Sequence, residues 1–171
     1  MPHEHRATTS QHAIPAVVVT VSDRSARGER ADASGPRAVH LLREAGFDVE
    51  YRLVPDGEHS VRDAVQDAIN GGARFILTSG GTGVGPRDQT PEGTRLLLVQ
   101  ELPGIAEQLR REGAREHPTA VLSRGLAGIA GHAARALVVN LPGSVNAVEE
   151  GVAVLLPLVR HVIDQLDGGD H

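Results

Sequence analysis

An α/β domain, with a mostly parallel sheet covered by helices on both faces, is the fold class this sequence predicts. Three observations carry it. Residues 16–21 (Ala-Val-Val-Val-Thr-Val) form a near-continuous β-branched run, as expected of a strand buried on both sides. Strand-like and helix-like segments then alternate along the chain, the pattern that builds a sheet with helices on both faces. The third strand-like segment runs straight into a glycine-rich loop and a helix start. In such sheets that junction lies at the carboxyl edge, where ligands sit.

After the first strand, residues 22–34 read as polar and flexible, and Gly35-Pro36 opens a helix through residue 45. Residues 48–54 read as a second strand. A helix over 60–70 follows, with Val61, Val65, Ala68 and Ile69 on one face. The third strand is expected at 73–78, and helices at 91–98 and 105–112, separated by Leu102-Pro103-Gly104. Residues 118–122 and 136–140 read as later strands. A last helix aligns Val148, Val152, Leu155, Leu156, Val159, Ile163 and Leu166 in one stripe, with Pro157 expected to kink or unwind it. A single domain over 14–166 is expected, with disordered tails at 1–13 and 167–171; the histidines at 3, 5 and 171 read as tail residues.

Composition narrows the function. The chain has 171 residues, 40% of them apolar, but aromatics make up only 2%: Phe47, Phe75 and Tyr51. The core must therefore be aliphatic, and single-stranded nucleic acid, which stacks on aromatic platforms, is disfavoured. A net charge of −5 gives no general basic footprint. With no cysteine there is no disulfide, thiolate metal site or cysteine nucleophile. The first 13 residues lack a secretory apolar core, and no apolar run approaches the roughly 20 residues of a membrane span. A soluble cytoplasmic protein is the expectation, without nucleic-acid or membrane partners.

The chemistry concentrates in segment 78–92. Gly80, Gly81, Gly83 and Gly85 allow positive φ and let amides approach a ligand with no Cβ in the way. Thr90 reads as a helix N-cap with Pro91 at the first helical position, so free N–H groups point back at the loop. Strand, glycine loop and helix start together make an anion cradle. No G-x-G-x-x-G register and no Walker lysine are present, which disfavours a Rossmann dehydrogenase and a P-loop NTPase. Three further loops follow strands: Ser22-Asp23, Pro55-Asp56, and the segment Asn140-Leu141-Pro142-Gly143-Ser144. Each has a bland reading. Ser22 or Asp23 caps a turn, Asp56-Gly57 is a common turn dipeptide, and Ser144 caps the last helix. Arg110-Arg111 reads as a solvated helix face, and the nine histidines show no ligand spacing.

The run Gly80-Gly81-Thr82-Gly83 through Arg87-Asp88-Gln89-Thr90-Pro91-Glu92 resembles the G-G-T-G-x-x-x-R-D-x-T-P-E signature of the MogA/MoaB molybdopterin-binding family, which includes the G domains of plant enzymes and of gephyrin. Thr20-Val21-Ser22-Asp23, Ser34-Gly35-Pro36, Val54-Pro55-Asp56, Pro103-Gly104, Leu122-Ser123-Arg124, Leu141-Pro142-Gly143, Asn146-Ala147-Val148 and Leu155-Leu156-Pro157 follow in the family's order. Gln89 and Val145 depart from it, standing where aliphatic residues and proline are frequent.

The resemblance implies a three-layer α/β domain, a homotrimer or dimer of trimers, and Mg²⁺-dependent transfer of AMP from ATP to the terminal phosphate of molybdopterin. A molybdenum-inserting MoeA-like protein is the implied recipient. Asp56 and Asp88 match the family's catalytic aspartates and are expected to hold Mg²⁺. Ser22, Asp23, Ser79, Gly80, Gly81, Thr82, Gly83, Arg87, Ser123, Arg124, Pro142, Gly143 and Ser144 are the expected phosphate and substrate contacts. Two alternatives stay open: a non-catalytic MoaB-like pterin-binding or scaffold protein, and an unrelated phosphate enzyme sharing only the loop.

Overall fold

The computed structural model describes residues 12–169, so most of the expected N-terminal tail, with His3 and His5, lies outside the described residues, as does His171. β1 (Ile14–Val21), β2 (Phe47–Val54), β3 (Phe75–Ser79) and β6 (Ala136–Leu141) form the parallel part of one six-stranded sheet. β4 (Leu98–Glu101) and β5 (Ala127–Ala130) add antiparallel strands at one edge, giving the order β2-β1-β3-β6-β5-β4. The pleat of β1 divides the core in two. Ala16 and Val18 pack with α2 (Ser34–Glu44) and α6 (Val145–Leu166), while Val17, Val19 and Val21 pack with α3 (Glu58–Asn70). The sheet is thus covered on both faces, as the sequence predicts. With so few aromatics, Phe47 and Phe75 meet at 5.9 Å between ring centroids, and Arg160 lies 5.3 Å over the Phe47 ring.

Several elements differ from the sequence reading. Residues 118–122 are a 3₁₀ turn, Pro118–Leu122, with no buried residue. Pro118 supplies no N–H to a strand ladder, and Ala120 N–H bonds back to the His117 carbonyl instead. The helix expected over 91–98 is α4 (Thr90–Arg95), and the chain then enters β4. β4 and β5 escape a pattern reading because each has four residues and their pairing is non-local. Gly128 of β5 lets the Gln100 carbonyl approach where a Cβ would collide with it. The stretch after β1 holds a short helix, α1 (Asp23–Ala26), capped by the Ser22 hydroxyl accepting from Ser25 N–H at 3.1 Å. α6 runs through Pro157 without a break: Pro157 and Ala153 are both exposed, so solvent can serve the carbonyl left unbonded.

One polar lock ties the central strands to the loops above them. Asn140 of β6 is buried, and its amide donates to Thr78 Oγ1 at 2.9 Å and Thr94 Oγ1 at 3.0 Å. Its side-chain oxygen accepts from Leu126 N–H at 3.0 Å. β3, β6, α4 and the segment leading from the 3₁₀ turn into β5 are thereby joined by one amide. Asn140→Ala should lower unfolding stability by about 2 kcal/mol, because several buried partners lose their bond at once. Urea denaturation checks this, and a loss below about 0.5 kcal/mol would contradict it.

Candidate active site

The carboxyl ends of the parallel strands meet on one side of the sheet. The chain runs from β1 out to β2 through α2 and then returns past β1 to β3 through α3, so the crossover direction reverses beside β1. Ser22-Asp23, Asp56, the glycine loop and the 141–144 turn all emerge there. Beside them lies a cavity of about 590 Å³ between the glycine loop, α5 (Pro103–Gly113), the 3₁₀ turn and the N-terminal half of α6.

Nine of the expected residues line this cavity: Gly80, Gly81, Thr82, Gly83, Asp88, Ser123, Pro142, Gly143 and Ser144. Gly80 and Gly81 have φ of +105° and +68°, as the loop reading requires. Gly83 does not; a Cβ there would instead meet the Asp88 carboxylate at 2.9 Å. Ser144 caps α6, accepting from Ala147 N–H at 3.1 Å. Thr90 is not the cap of α4. It is wholly buried, its hydroxyl donates to the Gly80 carbonyl at 2.8 Å, and Gln89 holds the cap position. Thr90 therefore fixes the glycine loop from beneath.

Ser22, Asp23, Ser79, Asp56, Arg87 and Arg124 do not line the cavity. Ser79 is buried beneath it, 3.0 Å from Ser34 Oγ and 3.3 Å from the Pro142 carbonyl. Asp23 and Asp56 bond reciprocally: Asp23 N–H donates to Asp56 Oδ2 at 2.9 Å and Asp56 N–H to Asp23 Oδ1 at 3.1 Å. Gly57, at φ +128°, turns the chain into α3, so Asp56-Gly57 is the turn that the dipeptide suggests. Gln89 accepts from Glu58 N–H at 3.1 Å and so ties the glycine loop to the start of α3.

The two arginines expected to face phosphate are engaged by protein acceptors. Arg87 donates to both Asp23 oxygens, at 3.0 and 3.1 Å, and to the Asp56 carbonyl at 2.7 Å. Arg124 bonds to the Gly83 and Asp88 carbonyls and to Glu92. Sequence reasoning took Arg110 for a solvated residue, yet it lines the cavity and donates to the Ser123 and Gly125 carbonyls. A signal existed: Ala106, Arg110 and Gly113 share one helical face, and Ala106 and Gly113 are buried. Glu112, His117, Thr119, Asn146 and Glu150 also line the wall, brought there by tertiary packing alone. Glu116, His117 and Glu150 place ligand atoms within 4.8 Å of one another, a grouping that spacing along the chain could not reveal.

Electrostatics single out Asp56. Burial raises its pKa, and the charges of Asp23 and Asp88 raise it further, against a lowering bond from Asp23 N–H and the charge of Arg87. Asp23 is held below the usual carboxylate range by its bond to Arg87.

Comparison with known proteins fits this geometry. Residues 17–161 match a family profile described as "Probable molybdopterin binding domain". The chain belongs to that family. A molybdopterin adenylyltransferase of Pyrococcus furiosus is 42% identical over 148 residues, covering 85% of this chain and 87% of that one. A molybdenum cofactor biosynthesis bifunctional protein of Synechococcus elongatus is 40% identical over 91% of this chain, which spans only 48% of that relative's length. The crystal structure of a molybdopterin biosynthesis protein from Mycobacterium abscessus superposes with a TM-score of 0.83 at 46% identity, covering 90% of this chain and 96% of that one. Among the described residues, no helix is long and apolar enough to cross a membrane.

Two outcomes follow. Gly81→Ala should cost about 1–3 kcal/mol of stability, since φ is +68° and a Cβ meets Thr90 and Asp56, whereas Gly83→Ala should cost less, its backbone being unstrained. Thermal melting of both variants checks the order; equal losses would contradict it. For Asp56, a folded pKa above the unfolded one means its contribution is complete below the unfolded pKa and is lost as pH rises through the folded one. Asp56→Asn should therefore gain melting temperature relative to the parent as pH rises from acid to neutral. A gain that shrinks with rising pH would contradict the assignment.

Proposed function

We propose that this protein is a molybdopterin adenylyltransferase of molybdenum cofactor biosynthesis. The observation that carries the reading is the gathering of three carboxylates beside a glycine loop. Asp23, Asp56 and Asp88 come from three different loops, and the charges of Asp23 and Asp88 both act on Asp56 against that of Arg87. Left so, the site would repel a polyanionic substrate. A hard divalent cation bound through carboxylate oxygens removes that repulsion, and Mg²⁺ commonly uses one or two carboxylates plus substrate phosphates. The residues fit the ion: Asp56 is raised by burial and then by its like-charged neighbours, and the Asp88 carboxylate is held at the cavity wall by Gly85 N–H at 3.0 Å. Asp56 and Asp88 would hold Mg²⁺, which supplies charge neutralisation when bound.

The reaction suits such a site. An oxygen of molybdopterin's terminal phosphate attacks the α-phosphorus of ATP, the bond to the bridging oxygen breaks, and pyrophosphate leaves. A phosphate monoester with a second pKa near about 6 is already ionised at neutral pH, so no general base is needed. What the chain supplies is position and electrostatics. Loop amides at 81–83 and the Ser144 end of α6 suit phosphate, the Gly80 N–H being donated to the Leu141 carbonyl at 2.9 Å, and Arg110 is the arginine on the cavity wall. About 590 Å³ accommodates a ligand of pterin size. No aromatic residue lines it, so the ring is held by polar edges such as Thr119 and Asn146. The 42%-identical relative's name supports the same activity.

Assembly into a homotrimer, or a dimer of trimers, belongs to this reading. The exposed Leu96, Val121 and Leu122, 58–59% accessible, supply apolar surface beyond the core. A cytoplasmic MoeA-like molybdenum-inserting protein would receive the product.

Asp88→Asn should retain molybdopterin binding but lower adenylylation about 10²-fold, since size is kept and charge is lost. Turnover with ATP, Mg²⁺ and molybdopterin measures this. Near-parental turnover at saturating Mg²⁺ would remove Asp88 from the mechanism, and absence of turnover in the parent protein would favour the scaffold alternative.

A further inference from the structure

Arg124 stands where a phosphate-binding cation was expected, but its fork is directed at the protein. Nε donates to the Gly83 carbonyl at 2.8 Å and Nη2 to the Asp88 carbonyl at 2.6 Å. Nη1 bonds to the Glu92 carboxylate on the first turn of α4. Its backbone N–H donates to the Thr82 carbonyl at 2.8 Å. Carbonyls 82, 83 and 88 therefore bracket the segment 83–88 from both ends, all bound by one residue. Inside that bracket the Asp88 carboxylate accepts from Gly85 N–H at 3.0 Å, and Asp88 N–H donates to the Gly85 carbonyl at 3.1 Å. The turn that aims Asp88 is closed from outside by Arg124. Nor does Arg124 line the cavity.

We propose that Arg124 is a positioning residue: by clamping the Gly83 and Asp88 carbonyls against Glu92 it fixes where the Asp88 carboxylate points, and it does not bind the substrate's phosphate. This rests on the adenylyl-transfer reading and deepens it. Three acceptors lying in different directions need donors held at fixed angles in one plane. Guanidinium provides that, whereas an ammonium on a flexible stem is a point charge. Glu92 orients the fork from its third side, and its own carboxyl is held below the usual range by the bond to Arg124.

The charge-conserving variant separates the two roles. A phosphate-neutralising cation is largely replaced by lysine; a three-acceptor clamp is not. Arg124→Lys, Arg124→Ala and Glu92→Gln are compared in full-length protein for kcat, for KM of ATP, for the Mg²⁺ concentration giving half-maximal rate, and for ligand-free exchange of the Gly85 amide. The expected result is that Arg124→Lys loses kcat nearly as far as Arg124→Ala, about tenfold or more, and demands more Mg²⁺, while KM for ATP changes less than about threefold. Glu92→Gln should show a smaller loss of the same kind, and Gly85 amide exchange should quicken in all three. Near-parental kcat in Arg124→Lys would overturn the proposal. So would a rise confined to the KM for ATP in Arg124→Ala. If Arg124→Ala is too unstable to assay, the lysine and Glu92 variants carry the comparison. The exchange measurement needs no substrate, so it judges the clamp even where the parent fails to adenylylate; unchanged Gly85 exchange would overturn it.

Discussion

Like-charge repulsion at the carboxyl edge of the sheet is the constraint on which the site depends. Parallel strands deliver their following loops to the same edge, and here three of those loops bring a carboxylate. Isolated, Asp23, Asp56 and Asp88 would push one another apart. Reciprocal bonds between the Asp23 and Asp56 backbones and carboxylates, with Arg87 across both, hold them together. Arg87 is 63% exposed, so water screens its ion pair with Asp23 and the pair alone adds little. Rigidity comes from the number of bonds converging on the loops more than from any single pair.

The strain is chemical rather than steric. Asp56 is raised by burial and by its neighbours, which means the fold holds this carboxylate's charge at some cost. A site that destabilises its own charge in this way is poised for a cation, and ligand binding can then return stability. Beneath the loop, polar contacts take the opposite form. Asn140, Thr78 and Thr94, and Ser79 with Ser34, are buried and fully bonded. A rigid, neutral floor supports a charged rim.

Much of this was legible in the letters because it is local. The β1 run, the α6 stripe, the glycine loop with its positive φ at Gly80 and Gly81, and the Ser144 cap each depend on neighbours within a few residues. What was not legible depends on distant ones. Thr90 reads as a cap until the Gly80 carbonyl is known to lie against it. The protein acceptors of Arg87 and Arg124, from 31 to 64 residues away, could not be read from the sequence. β5, Ala-Gly-Ile-Ala, has too few large residues to announce a strand, and the apolar segment Pro118–Leu122 is misread because all its apolar side chains fall outside the core. Glu150 joins Glu116 and His117 only through the packing of α5 on α6.

The most direct test of the account is a crystal structure with Mn²⁺ in place of Mg²⁺, a non-hydrolysable ATP analogue and molybdopterin, with the metal located by its anomalous signal. The account predicts a peak coordinated by the Asp56 and Asp88 carboxylates and by nucleotide phosphate oxygens, beside the amides of 81–83. Metal bound to phosphate alone, or at Glu116, His117 and Glu150 with Asp56 and Asp88 unligated, would contradict it.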